Sequence, residues 1–114
     1  MPVTTQTGQA DTRLAKRTIA GTISVTTSLS TTEQFEHLRS TRILNESGGA
    51  VVLTVYQRNP VTGNFVLAKD VGTDGVLDSL ADDASLELPP ALFGADFVKL
   101  VGDGAASLHF LSAD

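Results

Sequence analysis

A chain of 114 residues with 41% hydrophobic residues, a formal net charge of -5 and no cysteine is of single-domain size and can bury roughly 65% of its unfolded surface without staples. The missing cysteine removes disulfides, thiolate metal sites and thiol nucleophiles together. The acidic balance argues against broad nucleic-acid binding, which needs clustered Lys and Arg to displace counterions from phosphates.

Residues 1–17 read as a flexible N-terminal arm, rich in Thr, Gln and Gly, with Met1 and Val3 its only sizeable apolar side chains before Leu14. The arm has neither an apolar core of signal-peptide length nor a membrane-spanning run, so no membrane association is expected. Arg13, Lys16 and Arg17 form its basic cluster. Residues 18–114 read as the folded domain. From Thr18 the texture becomes β-branched alternation, with Ile19, Gly21, Ile23 and Val25 on one side of a half-buried strand. At 28–33 a short helical turn is one reading beside an irregular connection, because Ser30 or Thr31 has a Glu or Gln three residues on, as in a capping box. Phe35 to Leu44 then enters a sheet and ends at the turn Asn45-Glu46-Ser47-Gly48-Gly49. Asn45-Glu46-Ser47 also matches a glycosylation sequon, but with no secretory signal it reads as a turn.

The run Arg42 to Lys69 predicts strand, tight turn, strand, loop, strand. Its apolar residues do not alternate cleanly with polar ones: Val51, Leu53 and Val55 share one face of the second strand, and Val52, Thr54 and Tyr56 the other. In the third strand Phe65 and Leu67 face one way, Val66 and Ala68 the other. Both faces should therefore be covered, by a connection such as 89–94 or by another chain. An acidic connection follows from Val71 to Ala84 with a weak strand at Val76-Leu77, and Ser85 to Leu88 returns to strand pattern. Pro89-Pro90 stops it, since neither proline donates to a ladder. Ala91 to Gly94 suits one helical turn, and Phe97 to Val101 with Ser107 to Leu111 a closing hairpin around Gly102-Asp103-Gly104. The total is an all-β, single-domain β-sandwich or jelly roll of seven to eight short antiparallel strands.

Chemistry is sparse. His37 and His109 are the only imidazoles, and no Gly-x-Ser-x-Gly elbow accompanies them, so no enzyme is expected and no catalytic residue is assigned. The series Asp70, Asp74, Asp78, Asp82, Asp83 and Glu87 lacks EF-hand spacing and reads as a solvated loop, with no metal or cofactor assigned. The low aromatic content supports no sugar or base platform. Val52, Thr54, Tyr56 and Val66 are the interface candidates of the body, with Arg13, Lys16 and Arg17 those of the arm.

A polar arm, an acidic all-β body, the Pro89-Pro90 connection and the missing catalytic constellation together resemble the small head-decoration, or cement, proteins of tailed bacteriophages. That resemblance implies a virion structural protein, synthesised in the host cytoplasm and bound to the outside of the head. It also implies a homo-oligomer, a trimer being favoured, whose extended termini bridge major capsid protein subunits; the basic arm would meet acidic capsid surface. The alternatives are a tail or connector component of a phage, or a β-sandwich module binding carbohydrate or a cell-surface group, with calcium in the 70–83 loop as one form.

Overall fold

The alternation that begins at Thr18 forms strand β1, Thr18–Val25, whose inward residues Ile23 and Val25 are almost fully buried. Seven more strands follow: β2 Gln34–His37, β3 Thr41–Asn45, β4 Leu53–Arg58, β5 Phe65–Leu67, β6 Ala84–Glu87, β7 Asp96–Gly102 and β8 Ala106–Ala113. The computed structural model describes residues 18–37, 41–89, 92 and 96–113. The arm, with Arg13, Lys16 and Arg17, lies outside the described residues.

Two four-stranded antiparallel sheets are stacked, one in the order β1-β8-β3-β6 and the other β2-β7-β4-β5. Among the described residues the first strand pairs with the eighth, the second with the seventh, the third with the sixth and the fourth with the fifth. That nested pairing is one long double strand rolled up on itself, the winding of a jelly roll, so the expected architecture holds, with eight strands among the described residues. Ile23, Ile43 and Leu108 from the first sheet meet Phe35, Leu53, Val55, Val98 and Leu100 from the second. Aliphatic side chains dominate this interior, and Phe35 and Phe110 lie edge to face at 5.0 Å.

Two expected hairpins are arches instead. β3 and β4 stand in different sheets, so residues 46–52 carry the chain across the sandwich; β7 and β8 are likewise separated, with residues 103–105 crossing. Phe35 to Leu44 is also divided, into β2 of one sheet and β3 of the other. Period-two alternation marks the side of a strand that is buried, and a glycine-bearing link serves an arch as well as a hairpin. The Asn59–Asn64 connection is a true hairpin: β4 and β5 pair, and Asn59 N–H donates to the Asn64 carbonyl at 2.7 Å.

The turn at 28–33 is a single helical turn that is not continued, with the Thr31 and Thr32 N–H groups both bonding the Ser28 carbonyl, and it is braced by hydroxyls. Buried Thr32 accepts the Thr26 N–H at 3.1 Å and donates to the Ser28 carbonyl at 2.9 Å. The Glu33 carboxylate accepts from the Ser24 N–H at 3.1 Å rather than closing a capping box. Ser and Thr side chains compete with helix formation by bonding nearby backbone in this way. At 89–94 only Pro89 and Leu92 are described; Leu92 is fully buried and its N–H bonds the Pro89 carbonyl.

Asn45, at the end of β3, is a buried polar residue with every bonding position used. Its amide donates to the Gly49 and Leu80 carbonyls at 2.8 and 3.0 Å, and its Oδ1 accepts from the Ser47 N–H and hydroxyl. It ties the β3–β4 arch to the 80–83 segment, in keeping with the turn reading of the sequon.

Candidate interaction face

A sandwich hides one face of each sheet and leaves the other outward. The outer face of the β1-β8-β3-β6 sheet carries mostly short and polar side chains, Ala20, Thr22 and Ser24 on β1, Ser107 and His109 on β8, Arg42 on β3 and Ser85 and Glu87 on β6, with Leu44 and the partly exposed Leu111 among them and no Phe or Tyr among the described residues. His109 is exposed here, as expected from its position between Leu108 and Phe110, and its Nδ1 lies 3.1 Å from the Thr22 hydroxyl. No second titratable group joins that contact, which is an ordinary cross-strand pair.

The outer face of the β2-β7-β4-β5 sheet differs in chemistry. Val52, Thr54 and Tyr56 come together on it, half-buried, while Val51, Leu53 and Val55 point inward. Register sets Val101 beside Thr54, and Lys99 and Leu67 on either side of Tyr56; Phe65 lies beside Arg58. Val66 is paired with Gln57 and therefore belongs to the opposite side of β5, where it is 52% exposed. It does not join the other three candidates. Phe65, Leu67, Phe97, Lys99 and Val101 do join them. The alternation of β5 marked the first two, whereas those on β7 required the β4–β7 register.

Two cations cover part of this face. The Arg58 guanidinium sits 3.6 Å from the centroid of the Phe97 ring, on β7. Lys99 Nζ reaches the other way, 4.6 Å from the Phe65 centroid, and donates to the Leu29 carbonyl at 2.9 Å. Long basic side chains laid over aromatic rings shield apolar surface and gain cation–π attraction. Phe97 has a φ of 51°, which is rare for an aromatic residue and stores strain.

In place of the weak strand expected at Val76-Leu77, isolated bridges line the edge of β4 beyond β5. Val55 N–H donates to Gly75 O, Leu77 N–H to Leu53 O, and Val51 and Leu80 exchange both bonds. Leu77 is buried and Val76 lies outward, bridged to Thr54. Leu67 packs on Gly75, where an added Cβ would approach its Cδ1 to 2.6 Å. Leu67 and Val76, 43% and 38% exposed, therefore form the open rim of a patch centred on Thr54 and Tyr56. The described residues cover the patch only in part.

Elsewhere the geometry serves structure. Asp82 caps the Gly48 N–H, Asp103 accepts the Val52 N–H, and Asp74 and Asp83 take left-handed turn conformations. Among the described residues no three His, Asp or Glu side chains come together as metal ligands. A shallow open depression of about 390 Å³ between Leu44, Asn45, Glu46, Asp83, Ala84 and Ser85 contains one buried polar side chain, Asn45, whose bonding capacity is already used. No protein-family model, curated protein or solved structure matches the chain.

Proposed function

We propose that this chain is a non-enzymatic structural component of a tailed-phage particle, a capsid decoration protein that reinforces the head by binding across capsid subunits. One observation carries the reading: the interior is filled by aliphatic side chains, while the outer face of one sheet presents aromatic and aliphatic groups with an open rim at Leu67 and Val76. A protein built this way has association energy to offer in place of a substrate cavity. The basic arm residues Arg13, Lys16 and Arg17 supply the complementary attraction to an acidic capsid surface.

The experiment is addition of the purified protein to heads that lack it. Saturable binding in many copies, with a raised temperature of head disruption, is the expected result. Failure to bind under low-salt and physiological-salt conditions would end the decoration reading.

A further inference from the structure

We infer that the outer face of the β2-β7-β4-β5 sheet docks a second copy of this chain about a two-fold axis. The apolar centre of the face lies between unlike charges. Both cations lie towards the Arg58 end of the face, the Arg58 guanidinium over Phe97 of β7 and Lys99 Nζ over Phe65 of β5, while the exposed Asp74 and Asp78 flank Val76 towards the Leu53 end. In a two-fold contact the same patch meets itself, so an axis crossing the strands between these ends brings each cationic end onto the acidic end of the partner copy. A three-fold contact joins two different patches and draws nothing from this arrangement.

The area fits a weak contact. Four strands about 4.8 Å apart and roughly 20 Å long present on the order of 400 Å² of projected face per copy. That falls below the roughly 800 Å² per partner of a standard interface, so the dimer forms in a concentration-dependent way, with a dissociation constant of roughly micromolar order or weaker. Crowding on a lattice would favour it.

The topology gives the dimer a consequence. β1, which the arm enters at Thr18, belongs to the sheet away from the contact. Stacking four sheets about 10 Å apart sets the two outermost sheets about 30 Å from each other. Two arms leaving from opposite outer layers can reach separate subunits. This last step rests on the decoration reading; the dimer does not.

The test is sedimentation equilibrium of the full chain without particles, over about 1–500 μM to bracket that affinity. The expected result is a reversible shift from the 11.9 kDa monomer towards twice that mass. Leu67→Asp enters the contact twice and should raise the dissociation constant about 100-fold or more, whereas Leu111→Asp, on the outer face of the other sheet, should leave it unchanged. Melting curves establish that each variant is folded, and Val76→Asp repeats the test at a second exposed position. A monomer at every concentration, a trimer, or a dimer indifferent to both rim substitutions overturns the inference. So does a rim variant that abolishes head binding while leaving self-association intact, which would assign the face to the capsid. Loss of head binding by wild type with the dimer intact would overturn the decoration reading alone.

Discussion

Gly21→Ala tests the packing of the sandwich at a position where two effects oppose each other. Gly21 lies inward on β1, directly opposite Phe110 on β8, and a Cβ there would stand 2.6 and 2.7 Å from Phe110 Cζ and Cε1. Its backbone is not in the left-handed region, so Ala should stabilise the strand by roughly 0.5–1 kcal/mol through reduced chain entropy. Against this, the ring must move. Overpacking costs about 1–3 kcal/mol, and displacing Phe110 from its edge-to-face contact with Phe35 forfeits about 0.5–1.5 kcal/mol more. The cost should win, with a net loss of about 1–3 kcal/mol and a fall in Tm of about 5–20 °C for a domain of this size. Calorimetry gives the shift, and a double-mutant cycle with Phe110→Leu should recover part of it through a coupling energy of about 0.5–3 kcal/mol. An unchanged or raised Tm for Gly21→Ala would refute the placement of Phe110 over Gly21.

Asn45→Ala removes four hydrogen bonds at a fully buried site and should cost about 2–4 kcal/mol, read as a lower urea midpoint at constant slope; a loss below about 0.5 kcal/mol would show that the arch does not depend on it. At Phe97 the usual preference inverts. Phe97→Ala and Phe97→Gly lose the same contact with Arg58, but only glycine accepts a φ of 51° without strain, so the glycine variant should be the more stable by about 1 kcal/mol in chemical denaturation. Leu53→Ala, at a site with no exposure, should cost about 2–5 kcal/mol in the same assay.

The strand faces were legible in the sequence because alternation is a local property. Ile23 and Val25 are buried, and Val51, Leu53 and Val55 are divided from Val52, Thr54 and Tyr56 as expected. The β4–β5 hairpin was legible too, from Pro60 and Gly63 at opposite ends of its loop. What alternation cannot carry is the identity of a strand's neighbour. Thr18 pairs with Ala113 across almost the whole described chain, and the glycine-bearing links at 46–52 and 103–105 proved to be arches. The candidate face was half legible for the same reason. Tyr56 and its strand neighbours were evident, but Lys99, Phe97 and Val101 reach them only through the β4–β7 register. Val66 stands apart from them, on the other side of its strand opposite Gln57. The cover expected for both faces comes partly from Arg58 and Lys99, charged residues that a hydrophobic pattern counts as solvent-facing.

The central claim, that this chain works by association through the outer face of the β2-β7-β4-β5 sheet, can be measured directly because the protein contains no cysteine. Single cysteines placed at Leu67 and at Ser107 report on the outer faces of the two sheets, and maleimide labelling is compared between dilute protein and protein bound to heads. The account predicts that Leu67→Cys becomes protected on assembly while Ser107→Cys stays reactive. Protection of Ser107→Cys with Leu67→Cys still fully labelled would contradict it.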